Sequence, residues 1–197
     1  MRASTATPLL GRLWPPLANS YVLKALTVIA GSLLLWASAK VSVPFWPVPM
    51  TMQVFAVLLL GLGLGAPLAV AAVGLYLAQG AMGLPVFQGT PEKGLGLVYM
   101  AGPTGGFLAG FLAAALVTGL AADRGLTRGP IGATLAGLAS VGVIYALGLA
   151  WLGMLLGWDK PILAWGFWPF ILGDLLKVLL AGLLIGGIWR NLERNPG

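Results

Sequence analysis

The sequence predicts an all-α polytopic membrane protein, and three observations carry that prediction. Of its 197 residues, 59% are hydrophobic and only 8% are charged, whereas soluble domains carry about 25% charged residues. Mean hydropathy is +0.96, and a soluble chain of this composition would lack the polar groups needed to cover its surface. The apolar runs do not alternate with polar residues, which argues against a transmembrane barrel built from alternating strands of about ten residues.

Six predicted spans follow from the apolar segments and from the residues that interrupt them, since a helical span needs about 20 apolar residues. In chain order they are 23–39, 51–62, 66–82, 102–122, 131–156 and 169–189. Lys40 ends the first span, and the Pro-rich run 44–49 that follows is incompatible with a helix interior. The apolar stretch 50–87 is too long for one span, and the Gly-rich run 61–67 divides it into two short helices.

Three polar segments divide the second half of the chain. Glycines, prolines and the charged residues Glu92 and Lys93 mark 83–101 as a loop before the fourth span. The charged turn 123–130 separates the fourth span from the fifth, and the loop 157–168 precedes the sixth. The chain is therefore predicted to form a six-helix transmembrane bundle.

An even number of spans places both termini on one side of the membrane. Seven lysines and arginines fall on that side and three on the other, a bias that predicts cytoplasmic termini. The seven are Arg2, Arg12, Lys24, Arg124, Arg128, Arg190 and Arg194, and the three are Lys40, Lys93 and Lys160. The predicted division is a cytoplasmic tail over 1–21, a six-helix domain over 22–190 and a second cytoplasmic tail over 191–197.

Asp174 and Lys177 both lie within the last predicted span. A charge in a lipid-facing helix costs roughly 2.5–3.5 kcal/mol on insertion scales, and residues three apart project from nearly the same helix face. One interpretation is a buried ion pair that only neutralises itself, although such a pair rarely adds stability over apolar residues. The other is a ligand site near the outer face, where the carboxylate accepts ligand N–H groups and the ammonium meets a carbonyl or carboxylate.

Other polar and small residues in the spans allow two interpretations each. Gln53 lies at a depth similar to that of Asp174, which favours a shared site over a hydrogen bond to a neighbouring helix. Thr104 lies at the start of the fourth span, where free backbone N–H groups are able to face a ligand. Gly102, Gly106 and Gly110, four apart, indicate close helix packing. Gly182 with Gly186, and Thr27 with Gly31, indicate either an internal seam or a docking face for another subunit.

Residues that the sequence lacks exclude several functions. It contains no cysteine and no histidine, which excludes disulfides, thiolate or imidazole metal sites and catalysis by either residue type. It has no Gly-x-x-x-x-Gly-Lys-Ser/Thr loop for ATP, and its scattered basic residues predict no nucleic-acid interface. We therefore expect a binding protein and not an enzyme, with no metal and no cofactor.

Five blocks of the sequence, taken in order, resemble the BioY family, the biotin-binding S components of energy-coupling factor (ECF) transporters. The blocks are PFWPVPMTMQ at 44–53, Tyr76 with Gly80, GLPVF at 83–87, GPTGGF at 102–107 and PFILGDLLK at 169–177. The resemblance spans about residues 20–190. Each block is weakly specific alone, whereas their order, spacing and six-span frame together are specific.

The resemblance implies a compact bundle in the cytoplasmic membrane that captures biotin at its outer face for uptake. It also implies three kinds of partner: membrane lipid, a transmembrane coupling subunit and a pair of ABC-type ATPases. The family's helix-six aspartate and lysine map onto Asp174 and Lys177. By position, further ligand contacts are expected at Gln53, Phe87, Gln88, Tyr99 and Thr104. The family's helix-one docking motif, Ala-x-x-x-Ala, has its nearest equivalent in Thr27 and Gly31, and this departure leaves the docking face open.

Two alternative functions stay open from the residues alone. One is an S component for a different vitamin, which competition among biotin, thiamine and riboflavin would distinguish. The other is a non-catalytic membrane assembly subunit in which Asp174 and Lys177 form only a strut. A membrane-embedded transferase is disfavoured, because such enzymes use acidic metal clusters or a histidine base.

Overall fold

A computed structural model describes residues 8–194, and most of that range is helical. In chain order the elements are α1 (Leu9–Leu13), α2 (Pro16–Asn19), α3 (Tyr21–Lys40), β1 (Ser42–Val43), β2 (Met50–Thr51), α4 (Gln53–Leu64), α5 (Ala66–Ala81), α6 (Gly96–Met100), α7 (Gly105–Asp123), α8 (Pro130–Leu156), α9 (Ile162–Gly166) and α10 (Ile171–Arg194). Arg2 and the ends of both predicted tails, 1–7 and 195–197, lie outside the described residues.

Within residues 8–194, six helices have twelve or more residues, and they coincide with the six predicted apolar segments. Their ends differ from the predicted ends by at most three residues, except that α10 continues past 189 to Arg194. Four of the six, α3, α7, α8 and α10, are long and apolar enough to cross a membrane, whereas α4 and α5 have only 12 and 16 residues. Six crossings therefore remain a prediction.

The predicted break between the two short helices occurs at Gly65, whose φ of +78° is one that L side chains rarely adopt. Pro67 lies in the first turn of α5, where its missing N–H is not needed. The Asp123 carboxylate, at the end of α7, accepts a hydrogen bond from the backbone N of Ala66 at 3.1 Å. A Cβ added at Gly65 would meet both Asp123 and Pro8. The N-terminal segment, the α4–α5 turn and the end of α7 therefore meet at one end of the bundle.

The two short helices occupy different places in the packing. Nine of the twelve residues of α4 are buried, and α4 contacts α3, α5, α7, α8 and α10. By contrast, five of the twenty residues of α3 are buried. Helix α4 is thus the central helix, and α3 presents most of its surface outward.

Most of the small-residue motifs are seams inside the chain. Gly110 packs against the backbone of Ile144 in α8, and Gly182 and Gly186 of α10 pack against Thr134 and Pro130. A Cβ at any of these glycines would approach a neighbouring heavy atom to 2.9 Å or closer. The packing interpretation of Gly110 is confirmed, and the open choice at Gly182 and Gly186 resolves to an internal seam.

Four segments carry more structure than the sequence predicted. The Pro-rich run lies inside a small hairpin in which Ser42 pairs with Thr51 and Val43 with Met50. The predicted loops 83–101 and 157–168 contain the five-residue helices α6 and α9. The predicted tail over 1–21 contains α1 and α2, and Leu9 and Leu17 are buried. Leu9 and Leu17 therefore pack on the helical body, while the assignment of 1–21 as a cytoplasmic tail stays a prediction. Helices as short as α1 and α2 leave no periodic signal.

Candidate ligand-binding site

A cavity opens at the end of the bundle formed by the hairpin, the loop after α5 and the start of α10. Counted with its open mouth, the empty space of this cavity is about 610 Å³. Its lining includes all seven residues predicted as ligand contacts, which are Gln53, Phe87, Gln88, Tyr99, Thr104, Asp174 and Lys177. The fold thus brings together residues from four separate parts of the sequence, while their roles as ligand contacts stay predictions.

The charged pair is buried in the wall of this cavity, with 5% of Asp174 and 7% of Lys177 exposed. The Lys177 ammonium donates to Asp174 Oδ1 at 2.8 Å and to the backbone oxygen of Thr51 at 2.8 Å. The Tyr145 hydroxyl donates to Asp174 Oδ2 at 2.7 Å. Because an ionised carboxylate offers about four acceptor positions, Asp174 keeps acceptor capacity for a further N–H group. The pair is therefore both an internal ion pair and a polar part of the cavity lining.

Helix α10 sets the position of this pair. Asp174 lies in its first turn, where the partial positive charge of the helix N-terminus stabilises a carboxylate. Lys177 follows three residues later on the same face, and its side chain reaches Thr51 at the end of the hairpin. The charges thus tie α10 to the segment that leads into α4.

Gln53 connects the start of α4 to α5 and to the loop that follows it. Its Nε2 donates to the Tyr76 hydroxyl at 2.8 Å, and that hydroxyl donates to the backbone oxygen of Val86 at 3.2 Å. Gln53 also accepts at Oε1 from the Thr51 hydroxyl at 3.3 Å. Both interpretations of this amide therefore have a structural basis, because Gln53 bonds a neighbouring helix and also lines the cavity.

Aromatic rings form one side of the cavity. Phe87 meets Tyr76 edge-on, with ring centroids 5.4 Å apart, and stacks on Tyr99 at 4.9 Å. Gly80 makes room for Phe87, since a Cβ there would approach that ring to 2.0 Å. The Tyr99 hydroxyl donates to the backbone oxygen of Gln88 at 2.8 Å, and burial raises the pKa of Tyr99. The phenol therefore remains a neutral donor near pH 7.

Residues 85–90, which carry Phe87 and Gln88, form what we call the lid segment.

A second, neighbouring cavity shares Pro49, Tyr99 and Thr104 with the first, and Lys93 lines it. The Lys93 ammonium donates to Gln88 Oε1 at 3.2 Å. The second cavity thus adds a positive charge beside the first one.

Several cavity residues were not among the predicted contacts. The most important is Tyr145 in α8, whose hydroxyl donates a hydrogen bond to Asp174. A buried tyrosine usually has a hydrogen-bond partner, so the lone tyrosine in this 27-residue apolar helix was a weak signal for a polar contact. Thr51 contributes a backbone oxygen, which no sequence pattern marks. Trp46, in the Pro-rich run, is 72% exposed and contacts Trp165 edge-on at 5.0 Å.

The two residues predicted for subunit docking have different environments. Thr27 is partly exposed on α3, and its hydroxyl donates to the backbone oxygen of Leu23 at 2.8 Å. Gly31 is buried, and a Cβ there would meet Ala72 and Leu60. Gly31 therefore packs within the chain and does not share an outward surface with Thr27.

A bundle of apolar helices with a polar and aromatic cavity at one end defines the class of membrane-embedded solute-binding proteins. The family model that matches this chain, over residues 13–194, is that of the BioY family, and the chain belongs to that family. Helices α3, α7, α8 and α10 accordingly indicate a multi-pass membrane protein.

Relatives and one solved structure are similar along most of the chain. The biotin transporter BioY of Thermotoga maritima is 40% identical over 151 residues, covering 77% of this chain and 86% of that protein. The biotin transporter BioY of Rhodobacter capsulatus is 44% identical over 152 residues, covering 70% and 76%. The crystal structure of the S-component for biotin from an ECF-type ABC transporter superposes with a TM-score of 0.74 at 23% identity, covering 91% of this chain and 95% of that one. The structural likeness establishes the fold.

Proposed function

We propose that this protein captures biotin in the cavity and serves biotin uptake as the substrate-binding subunit of an ECF-type importer. The relatives named biotin transporter BioY and the S-component fold support this function. The observation that carries the choice of site is the buried cluster of Asp174, Lys177 and Tyr145 in the wall of an aromatic cavity.

The chemistry of biotin fits that cluster. Its ureido ring presents N–H donors on either side of a carbonyl acceptor, so Asp174 accepts an N–H and Lys177 donates to the carbonyl. Phe87 and Tyr99 offer flat apolar surfaces for the fused rings and the thioether. Gln53 and Thr104, which line the same cavity, supply further hydrogen-bonding groups.

The carboxylate of biotin lies at the far end of a flexible chain, beyond reach of the same cluster. Lys93 lines the adjoining cavity and is the candidate to receive that carboxylate. Among residues 8–194, the hydrogen-bond partner of Lys93 is Gln88 Oε1, a neutral acceptor, so the ammonium keeps its charge available for an anion.

For the orientation, we propose that all six long helices lie in the cytoplasmic membrane with both termini in the cytoplasm, so the cavity opens outward. Arg12, Arg124, Arg128 and Arg190 then face the cytoplasm, as the charge bias requires. The membrane domain is proposed over 22–190, with cytoplasmic tails over 1–21 and 191–197. Having no catalytic or ATP-binding motif, the chain would bind biotin without transforming it and rely on a coupling subunit and ABC-type ATPases for energy. The exposed face of α3 around Thr27 is the candidate docking surface.

The direct test is calorimetric titration of the detergent-solubilised protein with biotin, thiamine and riboflavin. We expect saturable binding of biotin alone. Binding of thiamine or riboflavin in place of biotin would favour an S component for another vitamin. A folded protein that binds none of the three would contradict the proposal and favour an assembly subunit.

A further inference from the structure

Lys40, the last residue of α3, reaches from that helix to the lid segment. Its ammonium donates to the backbone oxygens of Pro85 and Phe87, both at 3.0 Å, and to Thr90 Oγ1 at 3.4 Å. The Thr90 hydroxyl in turn donates to the backbone oxygen of Phe87 at 2.7 Å. One side chain thus holds acceptors at both ends and in the middle of the lid segment.

The N–H donors of Lys40 are committed to these contacts. Within residues 8–194, the two salt bridges are Lys160 with Asp159 and Lys177 with Asp174, so Lys40 has no carboxylate partner there. An ammonium carries three N–H donors, and three acceptors surround this one. Hydrogen bonds from a charged donor are roughly twice as strong as those between neutral groups. Lys40 is therefore placed to fix a backbone conformation.

Within residues 8–194, two other side chains from outside the lid segment donate to its backbone, and both come from the cavity itself. Tyr76 donates to Val86 O and Tyr99 donates to Gln88 O, and both tyrosines line the cavity. Lys40 lies outside that lining. Its support of the lid segment is therefore separable from direct ligand contact, whereas substitution of either tyrosine alters both.

We propose that Lys40 is a positioning residue for ligand capture. By fixing the lid segment, it keeps Phe87 and Gln88 at the cavity before the ligand arrives, which lowers the entropy cost of binding. Affinity differences between related complexes lie mainly in the dissociation rate, so a released lid segment shortens the residence time of the ligand. The inference rests on the proposed function for the identity of its ligand, but the order of the lid segment does not depend on that identity.

The test compares Lys40→Met with Lys160→Met in the solubilised full-length protein. Both changes remove one positive charge from the same predicted face, so both lower the electrostatic attraction of that face for an anionic ligand, but Lys160 has no hydrogen bond to the lid segment. We expect Lys40→Met to raise the dissociation rate of biotin about tenfold, with the association rate within about threefold of wild type. Lys40→Arg, which keeps the charge and the donors, should restore most of the residence time.

A ligand-free readout separates this inference from the proposed function. Hydrogen–deuterium exchange over residues 84–93 should be faster in Lys40→Met and in Thr90→Val than in wild type or Lys160→Met. If wild type fails to bind biotin while these amides respond, the choice of ligand is wrong and the positioning role stands. If wild type binds biotin and Lys40→Met matches Lys160→Met in both dissociation and exchange, the positioning role is wrong. Thr90→Val supplies the same test should Lys40→Met fail to fold.

Discussion

At the scale of single residues, each carboxylate oxygen of Asp174 accepts one hydrogen bond. Tyr145 donates to one carboxylate oxygen and Lys177 to the other. Among the described residues, no buried side-chain nitrogen or oxygen lacks a partner. The cluster is thus satisfied without ligand, and a ligand N–H adds to these bonds without having to replace them.

The substitution Asp174→Asn tests this cluster with almost no change of shape. The amide cannot neutralise the Lys177 ammonium, and it puts an N–H₂ group where the carboxylate accepted hydrogen bonds. We expect biotin affinity to fall more than tenfold in a calorimetric titration, because hydrogen bonds to charged groups contribute about 1.5–3 kcal/mol.

A double variant distinguishes binding from support of the fold. Leaving one partner of a buried pair unpaired costs about 3–5 kcal/mol of stability, so thermal unfolding of Asp174→Asn is measured alongside binding. Asp174→Asn with Lys177→Met removes the unpaired charge and should recover stability without recovering binding. Recovery of both, with transport intact, would mean that the pair is only a strut.

Lys93 is tested by changing the ligand as well as the protein. If Lys93 receives the carboxylate, Lys93→Met should weaken biotin about tenfold, typical of losing one charged hydrogen bond, and leave the affinity for neutral biotinamide nearly unchanged. Competition titrations with both ligands measure this difference. An equal loss for the two ligands would assign Lys93 to support of Gln88, its observed partner.

Sequence reasoning found these residues to different degrees, for physical reasons. Asp174 and Lys177 were predictable because charges in an apolar helix are costly and therefore conspicuous. Tyr145 was not singled out, because a tyrosine is compatible with an apolar helix and only the fold places it beside Asp174. Lys40 was used only as the end of a span and a mark of orientation, since its contacts lie 45 to 50 residues away in the chain.

At the scale of elements, Phe87 fits because α5 presents a glycine beneath its ring. Gly80→Ala introduces a Cβ that would lie 2.0 Å from Phe87, whereas a Cβ at Gly74 in the same helix meets nothing within 4 Å. We expect Gly80→Ala to displace the lid segment, because overpacking costs about 1–3 kcal/mol. The affinity for biotin should then fall about tenfold or more.

Gly74→Ala is the matched control, since both variants gain the same helix-favouring methyl group. Affinity by titration and stability by thermal unfolding are compared for the two. Equal affinities for Gly80→Ala and Gly74→Ala would show that the lid segment does not shape the site.

Long elements were predictable from the sequence and short ones were not. Apolar length, prolines and glycines located all six long helices to within a few residues, because those signals act locally. The two strands of the hairpin and helices α1, α2, α6 and α9 are each five residues or shorter and are held by tertiary contacts, which no local pattern reports.

At the scale of the whole molecule, the orientation in the membrane is testable because the chain has no cysteine. Leu126→Cys marks the turn between α7 and α8, and Asp159→Cys marks the loop after α8; both original side chains are exposed. In intact cells, a membrane-impermeant maleimide should label Asp159→Cys at once and Leu126→Cys only after permeabilisation.

The unmodified chain is the blank for this labelling experiment. The reverse pattern would place the cavity on the cytoplasmic side, and labelling of both positions in intact cells would contradict a crossing by α8.

The fold itself was predictable as a helical bundle, whereas the joining of separate blocks around one cavity required the resemblance to a known family.

The length of the central helix α4 affects the depth of the ligand cavity. Twelve residues span about 18 Å at 1.5 Å per residue, well short of a hydrocarbon layer of about 30 Å, and its neighbours shield it from lipid. In the proposed orientation, the cavity next to Gln53 lies in the part of the bilayer depth that α4 leaves unfilled. Its depth is therefore set by where one helix stops: one more turn before Gln53 would add about 5.4 Å and fill it, whereas side-chain changes only reshape its walls.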